Sequence, residues 1–457
     1  MTAPAELSSL VDLGRAIRAG ETTSVAATER CLEVIRDRDP SINAFITVLA
    51  EAALDAARTA DRELGSGRDR GPLHGVPISI KDILDMAGVP TTAASHVRRE
   101  HVAASDATVV ARLREAGAVF VGKTNLHEFA LGTTNEESAY GPVHHPLDPS
   151  RSPGGSSGGS AASVLAGMAC ASVGTDTGGS IRIPSAACGL VGLKPRYRDV
   201  PTQGVVPLSA SLDHVGPLCA TVADAAAIFA VIADAPGGDD PAEAGAARGL
   251  RLGVPRRYFL DLLDDDVARA FDATCARLSA AGVVLEDVVI PHAGETPAAY
   301  LHIALTEAAA FHARTLESRP DDYTPTVRVR LEAGRYVLAE DYLRAQRCRH
   351  VLRTEVSAAL EGRDGLLLPS LAVPATPLGA ATVRVSGADE PVRNVTLRLT
   401  QLFNLTGHAA ITVPCGATGG GLPIGAQLVG TSTASLLRLA LSLEPHLRGT
   451  RGSSSRA

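Results

Sequence analysis

Short apolar runs, each ended by a turn residue or a polar side chain, recur along the whole chain. They are Val76-Pro77-Ile78-Ser79-Ile80, Ala118-Val119-Phe120-Val121, Leu190 to Leu193, Leu366-Leu367-Leu368-Pro369 and Ala410-Ile411-Thr412-Val413-Pro414. Four or five residues are too few for a helix. A run that is apolar at consecutive positions is covered on both faces, as in the strands of a sheet buried between two layers. Longer stretches with helical spacing separate the runs. Thr23 or Ser24 can cap a helix through Arg36 that carries Val25, Cys31, Val34 and Ile35 on one face, and Pro40 and Asn43 are expected to break it. A second helix is expected to end at about Leu64, so that residues 6–65 read as helical. Further helices are predicted over Asp106–Ala116, from about Asp265, over about 296–318 and 338–362, and over Ser432–Leu447. RLGVP (251–255) and VVLEDVVI (283–290) add two strands. Alternating helix and buried strand predicts an α/β fold in which helical layers enclose one large sheet.

Two segments depart from this rhythm. From Thr133 to Ser160 the chain is rich in Gly, Ser, Pro and Asn, and a loop this long inside a compact domain is usually functional. It leads into a small-residue helix over Ala161–Ala169. A second glycine-rich turn follows at Gly174-Thr175-Asp176-Thr177-Gly178-Gly179-Ser180. Pro236–Gly249 reads as an exposed linker, and the tail 449–457 is expected to be disordered.

Several classes of function are excluded. The formal net charge of −7 over 457 residues argues against a nucleic-acid binder, which needs a basic face. No stretch of 18 residues is apolar enough to span a membrane. The first residues, MTAPAELSSLVDLGRAIRAGE, are read as lacking a signal peptide. Seven cysteines without a CxxC pair read as reduced thiols, which places the expected compartment in the cytoplasm. The 13 histidines form no H-E-x-x-H or other paired metal spacing, so no metal is expected. The adjacent His144 and His145 read as a solvated loop pair. Gly154-Gly155-Ser156-Ser157-Gly158 satisfies G-x-S-x-G, but a nucleophile elbow needs a strand before its serine, and here the chain reads HHPLDPSRSP.

The lysines are informative. Of 43 basic residues only Lys81, Lys123 and Lys194 are lysine, and the rest are arginine. Lysine, unlike arginine, can lose its proton when desolvated. Lys81 follows a buried strand, and Ser156 and Ser180 sit in separate glycine-rich turns. A buried neutral lysine can activate a serine, and free backbone N–H groups ahead of Ser180 can hold an oxyanion.

GVPISIKD (75–82), GKTNLHEF (122–129), PGGSSGGS (153–160) and GTDTGGSIRIP (174–184) together resemble the amidase signature family of Ser–Ser–Lys hydrolases. GLVGLKP (189–195), SLDHVGPL (211–218), DYLRAQRCR (341–349) and FNLTGHAAITVPCG (403–416) add to the likeness. The resemblance implies one α/β/α domain over residues 66–448, with a large mixed, twisted sheet of about eleven strands, and residues 1–65 as a helical segment packed on it. It assigns the nucleophile to Ser180, the bridging serine on a cis peptide to Ser156, and the base to Lys81. Thr177, Gly178, Gly179 and Ser180 are expected to form the oxyanion hole. Ser157 joins the network, Asp176 and Arg182 support the nucleophile turn, and Ala130 and Leu131 line the substrate pocket with parts of 300–345. The residues of 129–133 are small or apolar, which favours an uncharged acyl group.

The implied reaction is hydrolysis of a small-molecule amide without metal or organic cofactor, and a homodimer is compatible with it. The rival reading within the family is the glutaminase subunit of a tRNA-dependent amidotransferase. That subunit usually has Gln at the position of Ile183 and Met-Asp-Glu-Phe in place of Leu126-His127-Glu128-Phe129. A catalytically silent relative is a second rival, disfavoured because all three catalytic positions are intact. The chain departs from the family pattern at His145-Pro146-Leu147, where Asn-Pro-Trp is usual, and at Arg196-Tyr197-Arg198, where Thr-Tyr-Gly is usual.

Overall fold

A computed structural model describes residues 9–233 and 245–448. Part of the expected linker (236–244) and the tail 449–457 lie outside the described residues.

The strands, in chain order, are β1 (Phe45–Val48), β2 (Pro77–Lys81), β3 (Val119–Thr124), β4 (Ala171–Asp176), β5 (Val191–Lys194), β6 (His214–Cys219), β7 (Arg251–Pro255), β8 (Val284–Val288), β9 (Gly365–Pro369), β10 (Thr382–Val385), β11 (Ala388–Pro391), β12 (Ala409–Ala417) and β13 (Pro423–Gly430). Eleven of them form one mixed sheet in the order β1-β3-β2-β4-β6-β5-β12-β13-β9-β7-β8, and β10 and β11 pair as a separate hairpin. β2 runs parallel to both β3 and β4, and β6 runs antiparallel to β4.

Helices cover both faces, as the apolar runs require. β3 shows why its run is unbroken. Val119 and Val121 pack with Cys31, Ile35, Ala53 and Ala57 of the helices Ser24–Ile42 and Ala50–Gly65. Phe120, pointing the other way, joins the main core with Ile78 and Ile80 of β2. Ser79 turns to the opposite face of β2, where its hydroxyl lies 3.1 Å from that of Ser163 on the helix Gly158–Leu165.

Three expectations need correction. Residues 6–65 are not wholly helical: Phe45-Ile46-Thr47-Val48 is β1, the edge strand antiparallel to β3. Pro40 does not end its helix, which runs to Ile42 and stops at Asn43 in a left-handed conformation (φ 61°). A proline so near the C-terminus has only a short stretch of helix left to disturb. The turn expected at 174–180 begins as strand, because β4 extends through Gly174 and Thr175 to Asp176. All seven cysteines are free thiols. No helix among the described residues is long and apolar enough to cross a membrane.

Candidate active site

The site lies where the C-terminal ends of the parallel neighbours β2 and β4 meet, the edge at which α/β sheets commonly bind ligands. Lys81 is the last residue of β2 and Asp176 the last of β4. The loop 133–157 crosses this edge and ends in the helix that starts at Gly158.

Lys81 is fully buried, and its Nζ lies 2.8 Å from Ser156 Oγ and 2.8 Å from Thr175 Oγ1. Burial drives its pKa from the ordinary lysine range down to about 7, against the raising influence of Asp176 and Asp213. Lys123 and Lys194 are also fully buried, so every lysine of the chain is interior. Lys123 pairs with Asp82, and Lys194 donates to the carbonyls of Pro195 and His408 at 2.9 and 2.6 Å.

Ser156 follows a cis Gly155–Ser156 peptide bond and is fully buried. Its carbonyl accepts from His127 N at 3.0 Å. Ser157 joins the two serine segments: its N–H donates to Ser180 O at 3.3 Å and its hydroxyl to Thr175 O at 3.2 Å. Gly174 leaves room for this side chain, since a Cβ there would meet Ser157 Oγ at 2.9 Å and force a neighbour to shift. Ser180 keeps 6% of its surface exposed at the end of the turn, separated by Ile181 from the short helix Arg182–Ala187.

The turn between Asp176 and Ser180 is anchored throughout. Arg182 reaches Asp176 with Nε at 3.0 Å and Nη2 at 2.9 Å, and both side chains are fully buried. Burial alone would raise the Asp176 carboxyl, but Arg182, Lys194 and Asn404 outweigh it and hold it well below the usual carboxylate range. Arg182 also donates to Thr400 O, Gln427 Oε1 and Asn404 Oδ1. Thr177 Oγ1 donates to Asp213, and Thr400 Oγ1 to Gly178 O. Gly179 adopts φ +138°, a conformation that disfavours any side chain, and Tyr300 OH occupies the space that a Cβ on Gly178 would need.

Ala130 and Leu131 are buried at the far end of the loop that starts with His127. Arg330, from the helix Pro325–Gly334, donates to Leu131 O at 2.8 Å, so a guanidinium stands beside this stretch. His127 is buried, and neither ring nitrogen has a protein hydrogen-bond partner. Burial, with Arg330, Arg393 and Lys81 nearby, pushes its pKa down to about 3, so its ring is neutral.

His145 is not solvated either. It is buried, accepts from Leu147 N at Nδ1, and bonds Ala187 O through Nε2 at 3.0 Å. Arg198, at the usual glycine position, keeps the positive φ of 71° that glycine would adopt. The structure thus brings Lys81, Ser156, Ser157, Asp176, Thr177, Gly178, Gly179, Ser180 and Arg182 into one network. Sequence reasoning missed Thr175, His127, Asp213, Thr400, Asn404 and Gln427. Asp213 and Asn404 lie inside SLDHVGPL and FNLTGHAAITVPCG, but nothing in those strings says what the side chains touch. Among the described residues no group of three His, Cys, Asp or Glu side chains is placed to hold a metal ion.

Known proteins resemble this chain over most of its length. The family model described as Amidase matches residues 26–434. A glutamyl-tRNA(Gln) amidotransferase subunit of Myxococcus xanthus (strain DK1622) is 40% identical, over 95% of this chain and 96% of that protein. A crystal structure of an amidase superposes with a TM-score of 0.91 at 38% identity, covering 96% of this chain and 100% of that one. A chain from a vestigial protein complex that reveals the evolutionary origins of an s-triazine catabolic enzyme superposes with a TM-score of 0.90 at 34% identity, over 96% and 98% of the two chains.

Proposed function

The chain belongs to the amidase signature family, hydrolases of carbon–nitrogen amide bonds, and from that footing we propose that it hydrolyses a small carboxylic amide by itself, through Ser180, Ser156 and Lys81. The observation that carries this reading is the fully buried Lys81 amine 2.8 Å from Ser156 Oγ, with its pKa brought down to about 7.

The neutral Lys81 amine accepts the Ser156 hydroxyl proton as Ser156 takes that of Ser180. Ser180 Oγ bonds to the amide carbon, and the carbonyl π electrons move onto oxygen. The backbone N–H groups of Thr177, Gly178, Gly179 and Ser180 stabilise this oxyanion. Collapse breaks the C–N bond, and the proton returns through Ser156 to the leaving nitrogen. Water then attacks the acyl-enzyme by the same route, releasing carboxylate and restoring Ser180.

A panel of primary amides incubated with the purified chain, with ammonia as readout, tests the proposal. Release from neutral amides by the chain alone supports it, and no release from any member counts against it.

The 40% identity to an amidotransferase subunit favours a second reading, that of a glutaminase subunit. Ile183 and Leu126-His127 speak for the first, because that subunit usually carries Gln and Met-Asp at these places. Ile183 is buried with its side chain against Gly179, next to the proposed oxyanion turn. Glutaminase activity that emerges only with partner subunits and tRNA would establish the second reading.

A further inference from the structure

The turn 176–180 has two acidic anchors, and they are balanced differently. Asp176 is neutralised by Arg182 at 2.9 Å. Asp213 is buried, and each of its hydrogen bonds comes from an uncharged donor. Its Oδ1 accepts from Thr177 Oγ1 at 2.6 Å and Ser209 N at 3.2 Å, and its Oδ2 from Leu208 N at 3.0 Å and Ser209 N at 3.1 Å. Burial pushes this carboxyl up to about 7 despite these bonds. The segment that holds it is fixed in turn by Glu307, which accepts from Ser209 Oγ, Ser211 N and Ser211 Oγ.

We infer that Asp213 is a positioning residue for catalysis: through Thr177 Oγ1 it fixes the first donor of the oxyanion turn. This rests on the reading of Ser180 as nucleophile. The assignment follows from geometry. Thr177 opens the turn, and the side-chain partner of its hydroxyl is Asp213, so this bond restrains the residue whose backbone N–H leads the turn. Asp213 is itself held by the backbone N–H groups of Leu208 and Ser209, so the restraint is anchored outside the turn.

A fluorophosphonate that phosphonylates Ser180 with loss of fluoride serves as the probe, with the inactivation rate constant and the reagent's binding constant measured separately. Asp213→Asn is expected to lower the limiting inactivation rate by about tenfold to a hundredfold, below the effect of deleting an oxyanion donor outright. Reagent binding should change less than about threefold, since the loss falls on the transition state. Thr177→Val, which removes the hydroxyl that Asp213 holds, should slow inactivation in the same way. If Asp213→Asn does not fold, as its melting curve will show, Thr177→Val alone decides the proposal. Inactivation at the wild-type rate by a folded variant overturns it, and so does a loss that falls on reagent binding. Labelling that misses Ser180 in the wild type instead overturns the underlying assignment, and so is distinguishable from both.

Discussion

Lys123 Nζ lies 2.8 Å from Asp82 Oδ1, with both side chains fully buried. Asp82 adjoins Lys81 in sequence and is the obvious acid for Lys81 to neutralise. The structure gives Asp82 to Lys123 on the neighbouring strand β3 instead. Asp176 is taken by Arg182, and Asp213 is hydrogen-bonded to Thr177. Lys81 is therefore left with two hydroxyl partners and no carboxylate of its own, which is the arrangement a base needs and a structural cation does not.

Activity should accordingly rise with pH through a group near 7, where Lys81 loses its proton. Lys81→Ala should lose activity by at least about a hundredfold, the usual worth of a positioned acid–base group. Lys81→Arg should lose about as much, because guanidinium stays protonated. Single-turnover acylation measured against pH on all three proteins checks this. Near-wild-type acylation by the arginine variant would remove Lys81 from the relay.

Ser180→Ala should abolish turnover and leave the melting temperature nearly unchanged, since it deletes a single partly exposed hydroxyl. Mass mapping of the fluorophosphonate adduct should find it on Ser180. An adduct on Ser156 alone would favour an elbow-type hydrolase. That outcome is disfavoured by the full burial of Ser156 and by the loop, rather than strand, that precedes it.

The sequence made β2, β3, β5, β9 and β12 readable, because strands buried on both faces read as near-continuous apolar runs, interrupted here only by small or end-of-strand polar residues such as Ser79 and Thr412. β1 escaped notice. Its four residues lie between two helices, and one antiparallel partner is enough to make them a strand. β4 was hidden by its glycine and hydroxyl content: Gly174 makes room for Ser157, and Thr175 turns its hydroxyl to Lys81. Such a composition reads as a turn. Lys81, Ser156 and Ser180, the positions proposed as the triad, stood out because two unusual glycine-serine strings and a rare lysine mark them. Asp213, Thr400, Asn404 and Gln427 were not, because they reach the site from 36 to 245 residues away, and only the folded chain brings them to Thr177, Gly178, Asp176 and Arg182.

Arg182→Met should destabilise the protein by about 3–5 kcal/mol, because it leaves the Asp176 carboxylate buried without its counter-ion. Asp176→Asn combined with Arg182→Met should recover part of this loss by removing the orphaned charge. Denaturant unfolding of the two variants tests the order. A single variant as stable as the wild type would mean that Asn404 and the backbone donors suffice to hold the carboxylate.

Lys81 should also be a stability liability whose size depends on pH. Its folded pKa is about 7 against 10.5 in the unfolded chain, so between those values the unfolded state binds more protons. The stability tied to neutral Lys81 is fully present above pH 10.5, falls as pH drops through that window, and is gone below about pH 7. Lys81→Met has no such term, whatever it costs in hydrogen bonds to Ser156 and Thr175. Its stability relative to wild type should therefore be higher at pH 6 than at pH 10, by about 4 kcal/mol at 1.36 kcal/mol per pKa unit. Titrating groups away from Lys81 are common to both proteins and cancel in the difference. Guanidinium unfolding of the pair at the two pH values measures it. A difference that stays constant would mean that Lys81 keeps an ordinary pKa in the folded protein, and the neutral amine on which the relay depends would then be absent near pH 7.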